Sequence, residues 1–463
     1  MRRWVSWLSV ATLVACTEPP DTSQGNPSGT AGGTSSGNAG GGGTSSPPVS
    51  AGGLAGTPGG SGGAAGAAGQ AGAGAVAGAG GATVPTVVGP PYSFPQNKRS
   101  VHCNYPQSAN PQVARATYER WKRELVTRDG ASGLQRVRRP AGEMDTTVSE
   151  GIAYGMILAV TFGEQSLFDD FWKYSQRYLN GNGLMHWRIG PDGMVTGEGA
   201  ATDADEDIAW ALLLADKKWG GRGSLDADYL ELAKKQIDRI WQHEVDHSRG
   251  ELLMAGDSWG NVVVFNPSYF APNQYRTFGK VTGNVDGWNK VIDTGYTLLQ
   301  KTLTAEAGNA SNGLVPAWSD GEGKPSSPFD GAPMHYQYDS ARMPFRIGQD
   351  YCEFGEPRAK AYLDKVNAFF GQIGAAQIVD GYDLNGTARA ENTLPAGIQS
   401  ALFVGAAAVA AMSDVRHRQL MEDGYALLVS KEMLPPSYYY NLSWQVLSLL
   451  MLSGNLFDYT LHP

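Results

Sequence analysis

Three short stretches of the chain concentrate carboxylic acids next to apolar residues. The first is Ser149-Glu150-Gly151, ahead of Ile152, Tyr154, Met156 and Ala159. The second is Thr202-Asp203-Ala204-Asp205-Glu206-Asp207, ahead of Ile208 and Ala211. The third is Tyr338-Asp339-Ser340-Ala341-Arg342. Each has a plain structural explanation. Acids in a first helical turn complement the helix dipole, and Ser149 and Thr202 are suitable caps, with Asp205 in the capping-box position. Asp339 and Arg342 are three apart and can pair on one turn. For the second stretch this explanation is incomplete. Positions 203 and 207 share a helix face, as do Ala204, Ile208 and Ala211, so at least one acid must lie near the buried side. A buried carboxylate needs a partner or a chemical task. A calcium loop is excluded, because the stretch lacks the glycine and the closing glutamate such a loop requires.

The loops around these acids are rich in rings: Trp187, Trp259, Tyr269, Trp288, Trp318 and Tyr438 to Tyr440. Paired carboxyls beside aromatic loops suit a sugar site, where pyranose faces stack on rings and acids act on the glycosidic oxygen. Loop packing explains any single ring equally well. No Cys/His spacing suits a metal, and the 7 histidines are scattered, so neither metal nor cofactor is expected.

The elements that must position these residues read as helices. Apolar spacing of 3.6 predicts helices at Tyr154–Val160, Ile208–Leu214, Leu230–Trp241, Val291–Leu303, Ala359–Phe370, Ile398–Met412 and Leu442–Leu450. Strand signals are rare, and Asn261–Phe265 is the best of them. Asn180–Ala201 and Gly256–Asn289 read as long loops, which in a compact domain are usually functional. Helices joined by such loops fit an all-α domain such as an α/α barrel better than a bundle.

The first 91 residues are different in kind. Met1-Arg2-Arg3 and the apolar Trp4–Ala15 form an export signal too short to span a membrane. It ends in Leu13-Val14-Ala15-Cys16, a lipobox-like sequence that makes Cys16 a candidate for lipidation. Thr17 follows rather than Asp, which suggests the outer membrane or cell surface; plain secretion is the alternative. Residues 17–91 hold 24 of the 61 glycines and no aromatic residue, so they cannot bury enough apolar surface to order themselves. Such a tether has an end-to-end distance of about 45 Å and stretches to about 240 Å. The remaining 372 residues, 92–463, form one catalytic-domain-sized unit. The net charge of -9 argues against nucleic acid as a partner. Cys103 and Cys352 can pair after export, although their spacing alone does not establish it.

Taken together, Ser149-Glu150-Gly151-Ile152-Ala153-Tyr154-Gly155-Met156, Met185-His186-Trp187, Ala201-Thr202-Asp203-Ala204-Asp205-Glu206-Asp207-Ile208-Ala209, Tyr338-Asp339-Ser340-Ala341-Arg342 and Arg346-Ile347-Gly348 closely resemble glycoside hydrolase family 8. That family includes secreted bacterial endoglucanases, xylanases, lichenases and chitosanases. The resemblance implies an α/α barrel of six helical hairpins with long cleft-forming loops, and an inverting mechanism. By motif, Glu150 matches the general acid, Asp339 the general base and Asp207 the third carboxylate between them. Trp187, Trp259, Tyr269, Tyr338, Arg342 and, more loosely, Tyr440 match substrate-binding positions. A neighbouring anion such as Asp207 would raise the pKa of Glu150, and Arg342 would keep Asp339 ionised. The second acidic run resembles the endoglucanase branch, so the expected substrate is β-1,4-glucan, cellulose-type or mixed-linkage. Xylanase, chitosanase and a non-catalytic polysaccharide-binding surface lipoprotein remain alternatives. A monomer is expected, touching membrane only through the lipid.

Overall fold

The computed structural model describes residues 92–463 apart from 141–142, 259–263, 310, 329–331, 333, 390–398, 431–437 and 462–463. The export signal, Cys16, the Gly-rich stretch, Trp259, Ile398 and most of the Asn261–Phe265 strand signal lie outside the described residues. Among the described residues, no helix is long and apolar enough to cross a membrane.

Among the described residues, six helical hairpins follow one another along the chain. They are α1 (Pro111–Leu125) with α2 (Ser149–Phe162), α3 (Gln165–Ser175) with α4 (Thr202–Trp219), and α5 (Tyr229–His243) with α6 (Pro272–Thr282). Then come α7 (Val285–Thr302) with α8 (Met343–Phe354), α9 (Pro357–Ile373) with α10 (Ala401–Ala411), and α11 (Arg418–Ser430) with α12 (Tyr438–Leu452). Sequence decides which helix goes inside. Every residue of α2 and α10 is buried, and α12 is buried from Tyr439 onward. A helix apolar on all sides must be enclosed by others. The odd-numbered helices bury one stripe instead, such as Ala114, Tyr118, Trp121 and Leu125 of α1. The even helices therefore form the inner ring, in the order α6, α8, α10, α12, α2, α4, and each odd helix backs one of them. The seam between α4 and α6 is polar: Gln274 donates to Asp207 at 2.7 Å and Tyr275 to Glu206 at 2.7 Å. Close approach inside the ring demands glycine at one point. A Cβ on Gly405 of α10 would lie 2.2 Å from the Ser448 hydroxyl of α12. This is the α/α barrel of six hairpins that the sequence led us to expect.

Local expectations fared less evenly. The presumed loop Asn180–Ala201 contains a short hairpin, Arg188–Ile189 with Val195–Gly197, which pairs antiparallel with Thr147–Val148. The presumed loop Gly256–Asn289 contains α6 and the start of α7. Pro272 looks like a breaker there, yet it opens α6, where a missing N–H costs nothing. Neither Ser149 nor Thr202 is a cap. Each is the first residue of its helix, and its amide donates to another segment, Ser149 to Trp187 at 2.9 Å and Thr202 to Ala255 at 3.2 Å. Extended backbone feeds α2 directly from the small sheet, so tertiary hydrogen bonds do the work of a side-chain cap.

The two ends of the barrel differ. Residues 92–105 cross the C-terminal ends of the inner helices. Phe94 packs on Phe162 at 4.7 Å, and Lys218 donates to the carbonyls of Tyr92 and Thr161, each at 3.0 Å. The Asn104 amide donates to Met412 at 2.7 Å, and Cys103 is disulfide-bonded to Cys352 of α8. The question the two cysteines left open is thus answered by the fold. The acid clusters lie at the opposite end, in the first turns of α2 and α4 and just before α8.

Candidate active site

One guanidinium organises the acids at this end. Arg342 ends a tight turn, Ser340–Arg342, that runs straight into α8, and it is fully buried. Its Nε donates to the Asp339 carbonyl at 3.2 Å. Its Nη1 donates to Glu150 Oε2 at 3.3 Å and to Asp203 Oδ2 at 2.5 Å. Its Nη2 donates to Asp339 Oδ1 and to the Ser268 hydroxyl, each at 3.0 Å. All five N–H groups of the fork are thereby used. Its flat face lies over the ring of Tyr269, 5.0 Å from the centroid. Each acid has a second support. Tyr439 donates to Glu150 Oε1 at 3.0 Å, and the Gln337 amide donates to Asp339 Oδ2 at 2.8 Å. Glu150 and Asp339 contact different nitrogens of the guanidinium, so they stand at most its width and two hydrogen bonds apart.

Residues 100–454 match the family described as glycosyl hydrolases family 8. The chain belongs to glycosyl hydrolases family 8. It is similar to Endoglucanase A of Acetivibrio thermocellus, with 39% identity over 81% of this chain and 76% of that protein. It is also similar to Endoglucanase C of Ruminiclostridium cellulolyticum, with 42% identity over 66% of this chain and 64% of that protein. Among solved structures it resembles a beta-1,3-1,4-glucanase from Paenibacillus sp. X4. That match has a TM-score of 0.72 and 29% identity, over 80% of this chain and all of that one.

The electrostatics of this family 8 hydrolase follow from a count of charges. Three buried carboxyls surround one positive charge, so keeping all three ionised is costly. Burial raises Glu150, the nearby Asp203 raises it further, and Arg342, Arg139 and the Tyr439 hydrogen bond oppose them; the result is about 7. Burial also raises Asp203, against Arg342 and Arg346. Of the two, Asp203 is held as the anion. Its contact with Arg342 is the shorter, and it accepts the Ala204 N–H at 2.9 Å.

The other expected residues are distributed unevenly. Asp207 does not touch the Arg342 group. Arg346 grips both its oxygens at 2.6 and 2.8 Å, and Gln274 takes the first as well. The anion raising Glu150 is therefore Asp203, where sequence reasoning had suggested Asp207. Four positions separate the two residues, about one helical turn, and that moves Asp207 one turn deeper along α4. All four acids of the run are buried, more than the single one demanded by face counting. Tyr338 donates to Asp380 at 2.9 Å, and Tyr440 donates to the Tyr338 carbonyl at 3.3 Å. Trp187 lies buried between Gly197 and the Arg188 guanidinium, 4.8 Å from its ring. Ser268, Gln337, Tyr439 and Asp380 were not singled out as site residues. Ser268 and Asp380 reach the site from distant segments with no local pattern to mark them; Gln337 stands two residues before Asp339, and Tyr439 lies within the aromatic run Tyr438 to Tyr440.

Glu150 links this geometry to stability. Its folded pKa of about 7 lies above the ordinary 4.5, so the fold prefers the protonated form. That preference is fully expressed below about pH 4.5 and is lost as pH rises through about 7. Glu150→Gln removes the cost of ionisation, at most about 3 kcal/mol. In calorimetry near pH 8 the variant should unfold a few degrees above the wild type, with the gap closing near pH 5. A wild-type advantage at about pH 8 would contradict the assignment.

Proposed function

We propose that this hydrolase cuts β-1,4-glucan internally, in cellulose-type or mixed-linkage chains, with inversion at the anomeric carbon. The observation that carries the reading is the pair Glu150 and Asp339 on one guanidinium, with Glu150 pushed up to about 7. Acid–base catalysis needs one carboxyl that keeps its proton near neutral pH beside a second that can act on water. The shared guanidinium also limits their separation to a range compatible with the roughly 6.5–9.5 Å of inverting glycosidases. The endoglucanase and beta-glucanase names of the relatives support the substrate class.

In this reading protonated Glu150 donates to the glycosidic oxygen as the C1–O bond breaks, and that electron pair stays on the leaving oxygen. Asp339 takes a proton from a water that attacks C1 from the other face. The new hemiacetal is α, and both carboxyls then re-equilibrate with solvent. Asp203 is the third carboxylate in this centre: its negative charge keeps the Glu150 proton in place and offsets the positive charge of Arg342. Asp207 braces the layer behind, through Arg346 and Gln274. Tyr269, Tyr338, Trp187, Trp259 and Tyr440 remain candidates for sugar contact.

Reducing-sugar assays on carboxymethylcellulose, lichenan, xylan and chitosan should give the highest rate on a glucan, with the α-anomer as first product by NMR. Glu150→Gln and Asp339→Asn should each lose turnover by several hundredfold or more, on the order of 3–4 kcal/mol of barrier. Xylan as preferred substrate, a β-anomer first, or full activity in both variants would sink the reading.

Asp203→Asn tests the proton directly. Removing the anion lowers the Glu150 pKa, so the alkaline limb of kcat/KM should move from about 7 to lower pH. An unmoved or upward-shifted limb would exclude the role given to Asp203.

We further propose that the chain is exported and held on the outer membrane or cell surface through a lipid on Cys16. Support comes from the Arg2-Arg3 start, the short apolar stretch and the Leu13-Val14-Ala15-Cys16 sequence. Metabolic labelling with a radioactive fatty acid should mark the full-length protein and be abolished by Cys16→Ser. Label persisting in that variant would refute the anchor.

A further inference from the structure

Asp380 is a buried acid that the mechanism above does not use. It follows α9, in a segment that runs beside the base-bearing one. Tyr336 and Tyr382 exchange two backbone hydrogen bonds, each 3.0 Å. One Asp380 oxygen accepts the amide of Ser400, the residue that opens α10, at 2.8 Å. The other accepts the Tyr338 hydroxyl at 2.9 Å. Tyr338 is held from other sides too. Its ring meets Phe403 of α10 edge-on at 5.7 Å and Tyr440 of α12 at 6.2 Å, and its carbonyl accepts the Tyr440 hydroxyl. Asp339 is the next residue in the chain.

We propose that Asp380 is a positioning residue for the base: seated on the start of α10, it holds the Tyr338 hydroxyl and so fixes the Tyr338–Asp339 segment against the inner ring. This rests on the reading of Asp339 as the base. A base must sit within a fraction of an ångström of its water, and small misplacements are costly in rate. The hydroxyl is the far end of the residue that precedes Asp339, so tying it down removes the rotation that would swing the carboxylate. Asp380 touches no reacting atom in this scheme.

A double-mutant cycle with Asp380→Ala and Tyr338→Phe tests this, together with Asp380→Asn. Rates are taken on a glucan and on an aryl β-cellobioside with a good leaving group. Each single variant should lower kcat about tenfold, as expected for one lost hydrogen bond, with KM within about twofold. The double variant should fall no further, since both changes break the same bond. Asp380→Asn should lose less than Asp380→Ala, because its amide can keep a bond to both Tyr338 and Ser400. The loss should persist on the aryl substrate, whose leaving group needs no proton from Glu150. A double variant near a hundredfold down, a loss confined to the glucan, or wild-type kcat in Tyr338→Phe would overturn the proposal. Tyr338→Phe removes a single hydroxyl, so its thermal midpoint separates mispositioning from misfolding if Asp380→Ala does not fold. Full activity in Asp339→Asn would instead remove the reading of Asp339 as base, a result independent of the cycle.

Discussion

The carboxylate end of this barrel depends on one buried cation. Arg342 gives every N–H it has to groups of the site, and three of the five go to carboxyl oxygens on different parts of the chain. Glu150 comes from α2, Asp203 from α4 and Asp339 from the turn before α8. Without the guanidinium these acids would face one another in a buried space, and each would be driven to the neutral form. With it, three ionised carboxyls would still carry two negative charges more than the cation balances. That excess is expressed at Glu150, the acid with the longest contact. Arginine suits the position because its fork is rigid and permanently charged, which a lysine would not reproduce.

The barrel supplies the rest of the arrangement. Its inner helices run the same way because each outer helix carries the chain back, so the first turns of α2, α4 and α8 converge at one end. Partial positive charge from those helix starts makes that end hospitable to acids. The opposite end is occupied by the chain from residue 92 to 105, joined by the Cys103–Cys352 disulfide. A second buried pair, Asp207 with Arg346, stitches α4 to α8, and Gln274 adds α6 to it. Glu206, also buried, lies 3.8 Å from Arg346 in the same layer. Through space, Arg346 of that layer also favours the ionised form of Asp203.

Much of the architecture was legible in advance because it is a matter of periodicity. Inner helices such as α2 and α10 are apolar all round, and outer ones such as α1 show a single stripe. The acids at helix starts were also visible, as was the pairing of Asp339 with Arg342. Where sequence reasoning failed, a local rule was outvoted by contacts from elsewhere. Pro272 reads as a loop residue but opens α6. Ser149 reads as a cap but gives its amide to Trp187 across the small sheet. Face counting on α4 found that some acid must be buried, yet could not tell Asp203 from Asp207. That choice depends on which arginine of another helix stands opposite each.

The sequence by itself determined the helical class, the concentration of acids at helix starts and the kind of chemistry they suit. These follow from residue type and short-range spacing, which act through local geometry and the solvent. Only the tertiary structure decided which acid keeps its proton, which anion keeps it there, whether the two cysteines meet, and that Tyr338 is tied to Asp380. Each of those depends on distances between segments dozens to hundreds of residues apart. Coulomb energies and hydrogen bonds change steeply over a few ångströms in a buried site, and no spacing along the chain reports such distances.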